Sequence, residues 1–109
     1  MPTTINLVVI RSSDIDKSAE LYALLGLEFT KQSHGSGPQH YAAKMAGMVF
    51  EIYPVQKERE VSIGARIGFR VEDVDAVAER LQQAGAQAGV VGEGLTLGTP
   101  RRACRPGWA

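Results

Sequence analysis

Residues 8–26, VVIRSSDIDKSAELYALLG, and residues 67–85, IGFRVEDVDAVAERLQQAG, have equal length and align without a gap at an offset of 59. That register sets Arg11 on Arg70, Asp14 on Asp73, Asp16 on Asp75, Ala19 on Ala78, Glu20 on Glu79 and Gly26 on Gly85. Apolar class is kept as well, with Val8 on Ile67, Ile10 on Phe69 and Ile15 on Val74. The shared change of period says more than the identities. Each copy opens with the two-residue alternation of a half-buried strand. In the second, Ala65, Ile67, Phe69 and Val71 alternate with Arg66, Gly68, Arg70 and Glu72. Each then turns helical, with Ile15, Ala19 and Tyr22 on one face of the first helix and Val74, Ala78 and Leu81 on one face of the second. Asp14 and Asp73 stand at the switch, where a carboxylate satisfies the free amides of a helix start. Gly26 and Gly85 stand where a left-handed residue closes a helix.

Outward from the first copy, LEFTKQ (27–32), HYAAKMAG (40–47) and MVFEIYPV (48–55) read as three strands, joined by the loop SHGSGPQ and a turn at Gly47. The first half is therefore βαβββ. The second half continues with AGAQAGVV, then GEGLTLGTP, which reads as a mobile connection, then RRACRPGWA. GEGLTLG lacks the Gly-Lys-Ser/Thr of a phosphate loop. The repeat places the last strand of the second half at 107–114, whereas the chain ends at Ala109. The second half is expected to lack most of that strand, leaving amides and carbonyls unpaired on its neighbour and inviting another chain. A homodimer is the expected state.

A chain of 109 residues is one domain, with repeated modules at about 4–56 and 63–109. Its 12 Lys plus Arg balance 12 Asp plus Glu, which gives no clustered positive field for nucleic acid or a membrane surface. The opening MPTTINLVVIRSSD has no basic leader, and its apolar run breaks at Arg11, so the expected address is cytoplasmic. Cys104 has no second cysteine to pair with, in keeping with a reducing compartment.

Paired βαβββ modules, each beginning [VI]-x-[IF]-R-x-x-D-[IV]-D and running into an amphipathic helix, resemble the vicinal oxygen chelate superfamily. That group contains glyoxalase I, extradiol dioxygenases, and fosfomycin- and bleomycin-resistance proteins. The resemblance runs from Ile5 to about Arg102. It implies an α+β fold in which the strands of two βαβββ modules curl into a mixed, largely antiparallel cup with the helices outside, the second module truncated at its last strand. It also implies a metal pattern: a histidine in the first strand of each module, seven residues before the helix-capping Asp, and a glutamate in the last strand. Those positions hold Leu7, Arg66 and Glu51, and the fourth lies past Ala109. Leucine has no donor and arginine is a fixed cation, so Glu51 is the one family ligand position retained. No cofactor and no metal site are expected.

If the family's metal positions face into the cup, their strand neighbours do too. Leu7, Val9, Arg11, Val49, Glu51, Tyr53, Arg66 and Arg70 then line it, and Val8, Ile10, Ile67 and Phe69 form core. Buried guanidiniums call for an anionic partner. That partner is either an anionic or amphipathic small molecule held by the arginines or Glu51 itself, in an internal network that fills the cup. Whether any reaction is catalysed stays open. Alternatives to a metal-free binding protein are a divalent-metal lyase or dioxygenase rebuilt across a dimer from Glu51, His40 or His34, and a degenerate cup serving as an interaction module. His34 and His40 flank a Gly-Ser-Gly-Pro loop, and the direction of His40 is undetermined. Cys104 reads as a small strand residue, and Trp108 could cap the pocket or an interface.

Overall fold

Asp14 and Asp73 each begin a helix, for the reason their positions suggest. In the computed structural model, which describes residues 2–56, 66–86, 88–91 and 94–98 (the last two segments as backbone), Asp14 Oδ1 accepts from the Lys17 amide at 3.1 Å and Asp73 Oδ1 from the Ala76 amide at 3.0 Å. Both caps are extended, as an N-cap must be. The elements are β1 (Leu7–Ser12), α1 (Ile15–Ala23), β2 (Thr30–Gln32), β3 (His40–Met45), β4 (Met48–Pro54), β5 (Arg66–Arg70), α2 (Val74–Gln83), β6 (Ala88–Val91) and β7 (Gly94–Gly98). Helix α2 ends in a Schellman motif. The Ala86 amide donates to Leu81 O at 2.9 Å and the Gly85 amide to Gln82 O at 3.0 Å, with Gly85 at φ +86°. The motif's apolar contact is present, since Ala86 and Leu81 are both buried in the core.

Two sheets form. The first has the order β1-β4-β3-β2, with β1 parallel to β4 and the other pairs antiparallel. A two-residue turn, Ala46-Gly47, joins β3 to β4, and both residues have positive φ, as the right-handed twist of a hairpin favours. The second sheet has the order β5-β7-β6, all antiparallel.

One core joins the two halves. Ile10, Ala19, Leu21, Tyr22, Phe50 and Ile52 from the first half pack in the same cluster as Val77, Leu81 and Ala86 from the second. The rings of Tyr22, Phe50 and Phe69 meet edge to face at 5.0–6.0 Å, which joins α1, β4 and β5 directly. The Tyr22 hydroxyl is buried without a partner, and desolvation pushes its pKa up to about 12. Arg80 on α2 donates to Leu24 O at the end of α1, at 3.4 Å.

Three expectations change. GEGLTLG is not a connection, since residues 94–98 form β7 and pair on both sides. Gly94 and Gly98 stand at the strand's two ends. The expected unpaired edge is not found on β7, which is paired on both sides. Strand β7 closes directly on β5, with Arg66 opposite Gly98 and Arg70 opposite Gly94. Burying orphaned backbone groups is costly, so the sheet closes up instead. The first of the three strands after α1 begins only at Thr30, because Leu27 and Phe29 turn toward the core before the ladder starts. The RRACRPGWA segment, Cys104 and Trp108 lie outside the described residues. No described helix is long and apolar enough to cross a membrane.

Candidate functional site

Strand register places the site. Val8, Ile10 and Ser12 on β1, Phe50 and Ile52 on β4, and Ala43 on β3 face the helices. The alternate residues therefore share the far face of the first sheet and line up in rows across it. One row runs Leu7–Val49–Lys44 and the next Val9–Glu51–Ala42. The third runs Arg11–Tyr53–His40–Gln32. There β1 and β2 supply its ends by direct pairing, and His40 follows from the pairing of Tyr41 with Ile52.

The third row is a stack. The Tyr53 and His40 rings lie 4.2 Å apart and 6° from parallel. The Arg11 guanidinium sits over Tyr53 at 5.2 Å from the ring centre, and its Nη1 donates to Pro54 O at 3.2 Å. Since Arg11 and His40 come from the strands on either side of β4, Tyr53 is sandwiched between them. The loop after β2 folds over the end of the row. His34 lies 5.2 Å from the His40 ring and meets the Gln32 side chain at 3.2 Å. His40 is 1% exposed. Its Nδ1 lies 3.3 Å from Pro38 O, and its Nε2 is buried with no hydrogen-bond partner.

In the middle row Glu51 is half-buried between Val9 and Ala42, and it makes no hydrogen bond or ion pair among the described residues. Leu7 and Val9 stay 52% and 41% exposed, so this face presents apolar surface to its surroundings. Six of the expected cup residues thus share one face: Leu7, Val9, Arg11, Val49, Glu51 and Tyr53. Arg66 and Arg70 lie apart, exposed on β5, on the side opposite the core-facing Ile67 and Phe69. No contact described for them reaches Arg11 or Glu51. The suggested Arg–Glu network is therefore not formed by Glu51 and these three arginines.

His40 is the residue the sequence placed least well. Its signal was parity: Tyr41 and Ala43 alternate with Lys44 and, two positions before Ala42, His40. A core-facing Ala43 sends His40 to the far face. Tyr41 points the other way and donates to Asp16 Oδ1 at 2.6 Å, beside the Lys31–Asp16 ion pair at 3.0 Å. The Tyr41 and Lys31 hydrogen bonds hold the Asp16 carboxyl below its usual pKa, and the same carboxylate raises those of Tyr41 and Lys31. This exposed group ties α1 to β2 and β3 and lies away from the far face.

Among the described residues, the donors do not make up the superfamily's metal set. Leu7 offers none, Arg66 is an exposed cation on the other sheet, and Glu51 has neither a histidine beside it in its row nor a second carboxylate. Among the described residues no three His, Cys, Asp or Glu side chains converge.

The chain matches the sequence profile of the Glyoxalase/Bleomycin resistance protein/Dioxygenase superfamily over residues 4–96, and it belongs to that superfamily. A search of curated proteins gave no match. Among solved structures, the chain is similar to the genomically encoded fosfomycin resistance protein FosX of Listeria monocytogenes, crystallised as a mutant with Mn(II) and 1S,2S-dihydroxypropylphosphonic acid. That likeness has a TM-score of 0.60 at 18% identity and covers 83% of this chain and 75% of that one. It is similar to TnmS3, an antibiotic binding protein from a Streptomyces species, with a TM-score of 0.60 at 21% identity, covering 82% and 76%. It is also similar to the oxidase ChaP-H2, with a TM-score of 0.58 at 21% identity, covering 81% and 67%. At such identities the likeness speaks for the fold. A shared fold that hosts metal chemistry, oxidation and plain binding leaves function to the site.

Proposed function

We propose that this chain is a small-molecule-binding protein of the glyoxalase/bleomycin-resistance kind whose site works without a metal. The observation that supports it most is the far face of the first sheet, where exposed Leu7 and Val9 adjoin a few polar groups held in fixed rows. An apolar floor with sparse, well-placed polar atoms suits a small organic ligand. In this reading the halves are modules at about 4–56 and 63–109 of one domain, the second short of its last strand. Their sheets form a cup with the helices outside, in which Arg66 and Arg70 belong to the second sheet, apart from the rows of Arg11 and Glu51. An amphipathic ligand fits better than a purely anionic one, because Arg11 already serves Tyr53 and Pro54 O while Glu51 puts a negative charge in the middle of the face. The protein acts in the cytoplasm as a homodimer and does not engage nucleic acid. The exposed apolar side chains Ile5, Leu7 and Val9, at and before an edge strand, support the dimer.

Protein purified without chelator is analysed for bound metal and screened by thermal shift against small organic molecules and against Mn²⁺, Ni²⁺, Zn²⁺ and Fe²⁺. Organic ligands should raise the melting temperature, since a ligand at 100 times its Kd adds about 2.7 kcal/mol. Transition metal near one per chain, with no organic hit, would overturn this reading. It would favour the second, a metal-dependent lyase or dioxygenase rebuilt across a dimer, which the partnerless Nε2 of His40 keeps in view. Silence in both arms favours the third, an interaction module with a degenerate cup. A monomer in light scattering at micromolar concentration removes the dimer.

A further inference from the structure

We infer that the ligand meets this face with hydrogen-bond donors and a positive charge, as a flat aromatic amine or amidine does, rather than with an acid group. The inference rests on the small-molecule reading and names its chemistry. Among the described residues, the Glu51 carboxylate, half-buried between Val9 and Ala42, stands on the far face without a partner, and it carries the contact; Nε2 of His40, one row along, also lacks a partner there but is itself buried. The carbonyl of Pro38 only accepts, so the hydrogen of a neutral His40 ring sits on Nδ1 and leaves Nε2 a bare lone pair. Adjacent rows put the two acceptors' backbones about 7 Å apart along the sheet.

The cations on the same face do not answer Glu51. Arg11 turns to Tyr53 and Pro54 O. Lys44, one row along, is exposed and makes no ion pair with it. A half-buried carboxylate without a counter-charge is unfavourable until something supplies one. Ala42, a small residue beside Glu51, leaves the carboxylate approachable, while Val9 and Leu7 offer exposed apolar surface for the ring that carries the donor. An amidinium can bond a carboxylate through two parallel N–H groups, the strongest form such a contact takes.

The test uses three probes with one ring and different charge: benzamidine, benzyl alcohol and benzoate. Binding is followed by thermal shift and by amide chemical shifts of the wild-type protein. Benzamidine should raise the melting temperature most and move the amides of Val9, Ala42 and Glu51. Its affinity should fall at least tenfold in Glu51→Gln, a near-isosteric change whose fold is checked by circular dichroism. Benzoate binding more tightly than benzamidine overturns the donor inference and leaves the small-molecule reading standing. Benzamidine affinity unchanged by Glu51→Gln, or shifts confined to other amides, also overturns it. Silence from all three probes overturns this inference alone, because the binding reading falls only if the wider organic screen is silent too.

Discussion

The first half of the chain threads β4 between β1 and β3, whereas the second half brings β7 straight against β5. Everything before that difference is shared: strand, aspartate cap, helix, glycine stop. Direction is shared as well, for β3 runs antiparallel to β4, which is parallel to β1, and β7 runs antiparallel to β5. A strand can therefore be present or absent from the slot without reversing the neighbour that closes it. The strand that differs carries the candidate site. β4 supplies Phe50 and Ile52 to the core and Glu51 and Tyr53 to the far face. The repeated part builds much of the scaffold, and β4 sets Glu51 and Tyr53 beside Val9 and Arg11 of β1.

Four experiments would break or sharpen that comparison. The largest effect concerns whether the unequal halves fold as one unit. Phe50→Ala should cost about 3–5 kcal/mol and Leu81→Ala about 2–5 kcal/mol, large against the roughly 5–15 kcal/mol of a typical domain. Each should shift a single urea transition seen alike by far-ultraviolet circular dichroism and near-ultraviolet signals. Two separated transitions in Leu81→Ala would mean that the second half unfolds on its own.

Next comes a change of opposite sign at the junction. The Tyr22 hydroxyl is buried among aromatic rings without a partner, so Tyr22→Phe should stabilise by about 1–3 kcal/mol, read from the urea midpoint. Burial raises its folded pKa to about 12, while in the unfolded chain it ionises near 10. Its contribution is therefore unchanged below about pH 10 and declines between there and about pH 12, as the unfolded state releases a proton that the folded state keeps. Tyr22→Phe should flatten that decline, and an equal decline in both proteins would count against the buried hydroxyl.

The helix caps test the repeated part. Asp14→Ala and Asp73→Ala should each cost about 1 kcal/mol, and by similar amounts, because each loses one cap hydrogen bond of about 3 Å. A cost confined to one cap would show that the halves share a pattern without sharing its energetics.

The smallest effect belongs to the exposed Asp16–Lys31–Tyr41 group of the first half. The Asp16 carboxyl is held below 3.8, so its stabilisation is present above that value and is lost as pH falls through its lower folded pKa. Asp16→Asn should give a slightly flatter acid dependence of the urea midpoint, and a steeper one would refute the assignment.

Much of the fold was legible in the sequence because periodicity is a local signal. The caps at Asp14 and Asp73, the left-handed Gly26 and Gly85, and the core-facing Ile10 and Phe69 follow from alternation and spacing alone. Strand β7 was not legible, because Gly94 and Gly98 look like loop punctuation until the strands on either side of them are known. The site was legible in part. Parity put Leu7, Val9, Arg11, Val49, Glu51 and Tyr53 on one face, but parity says nothing of how far a side chain reaches or what it meets. Arg11 is such a case: its guanidinium sits over Tyr53 and donates to Pro54 O.

By itself the sequence determined where the two helices begin and end and which side of β1 and β5 faces inward. Such properties depend on neighbours one to four residues apart. Only the tertiary structure decided that β7 closes on β5, that one aromatic core joins both halves, and that His40 lies buried against Tyr53 while Glu51 is left without a partner. Those are contacts between residues distant in the chain, and the free energy of pairing a backbone edge or a buried polar atom is settled only where such segments meet.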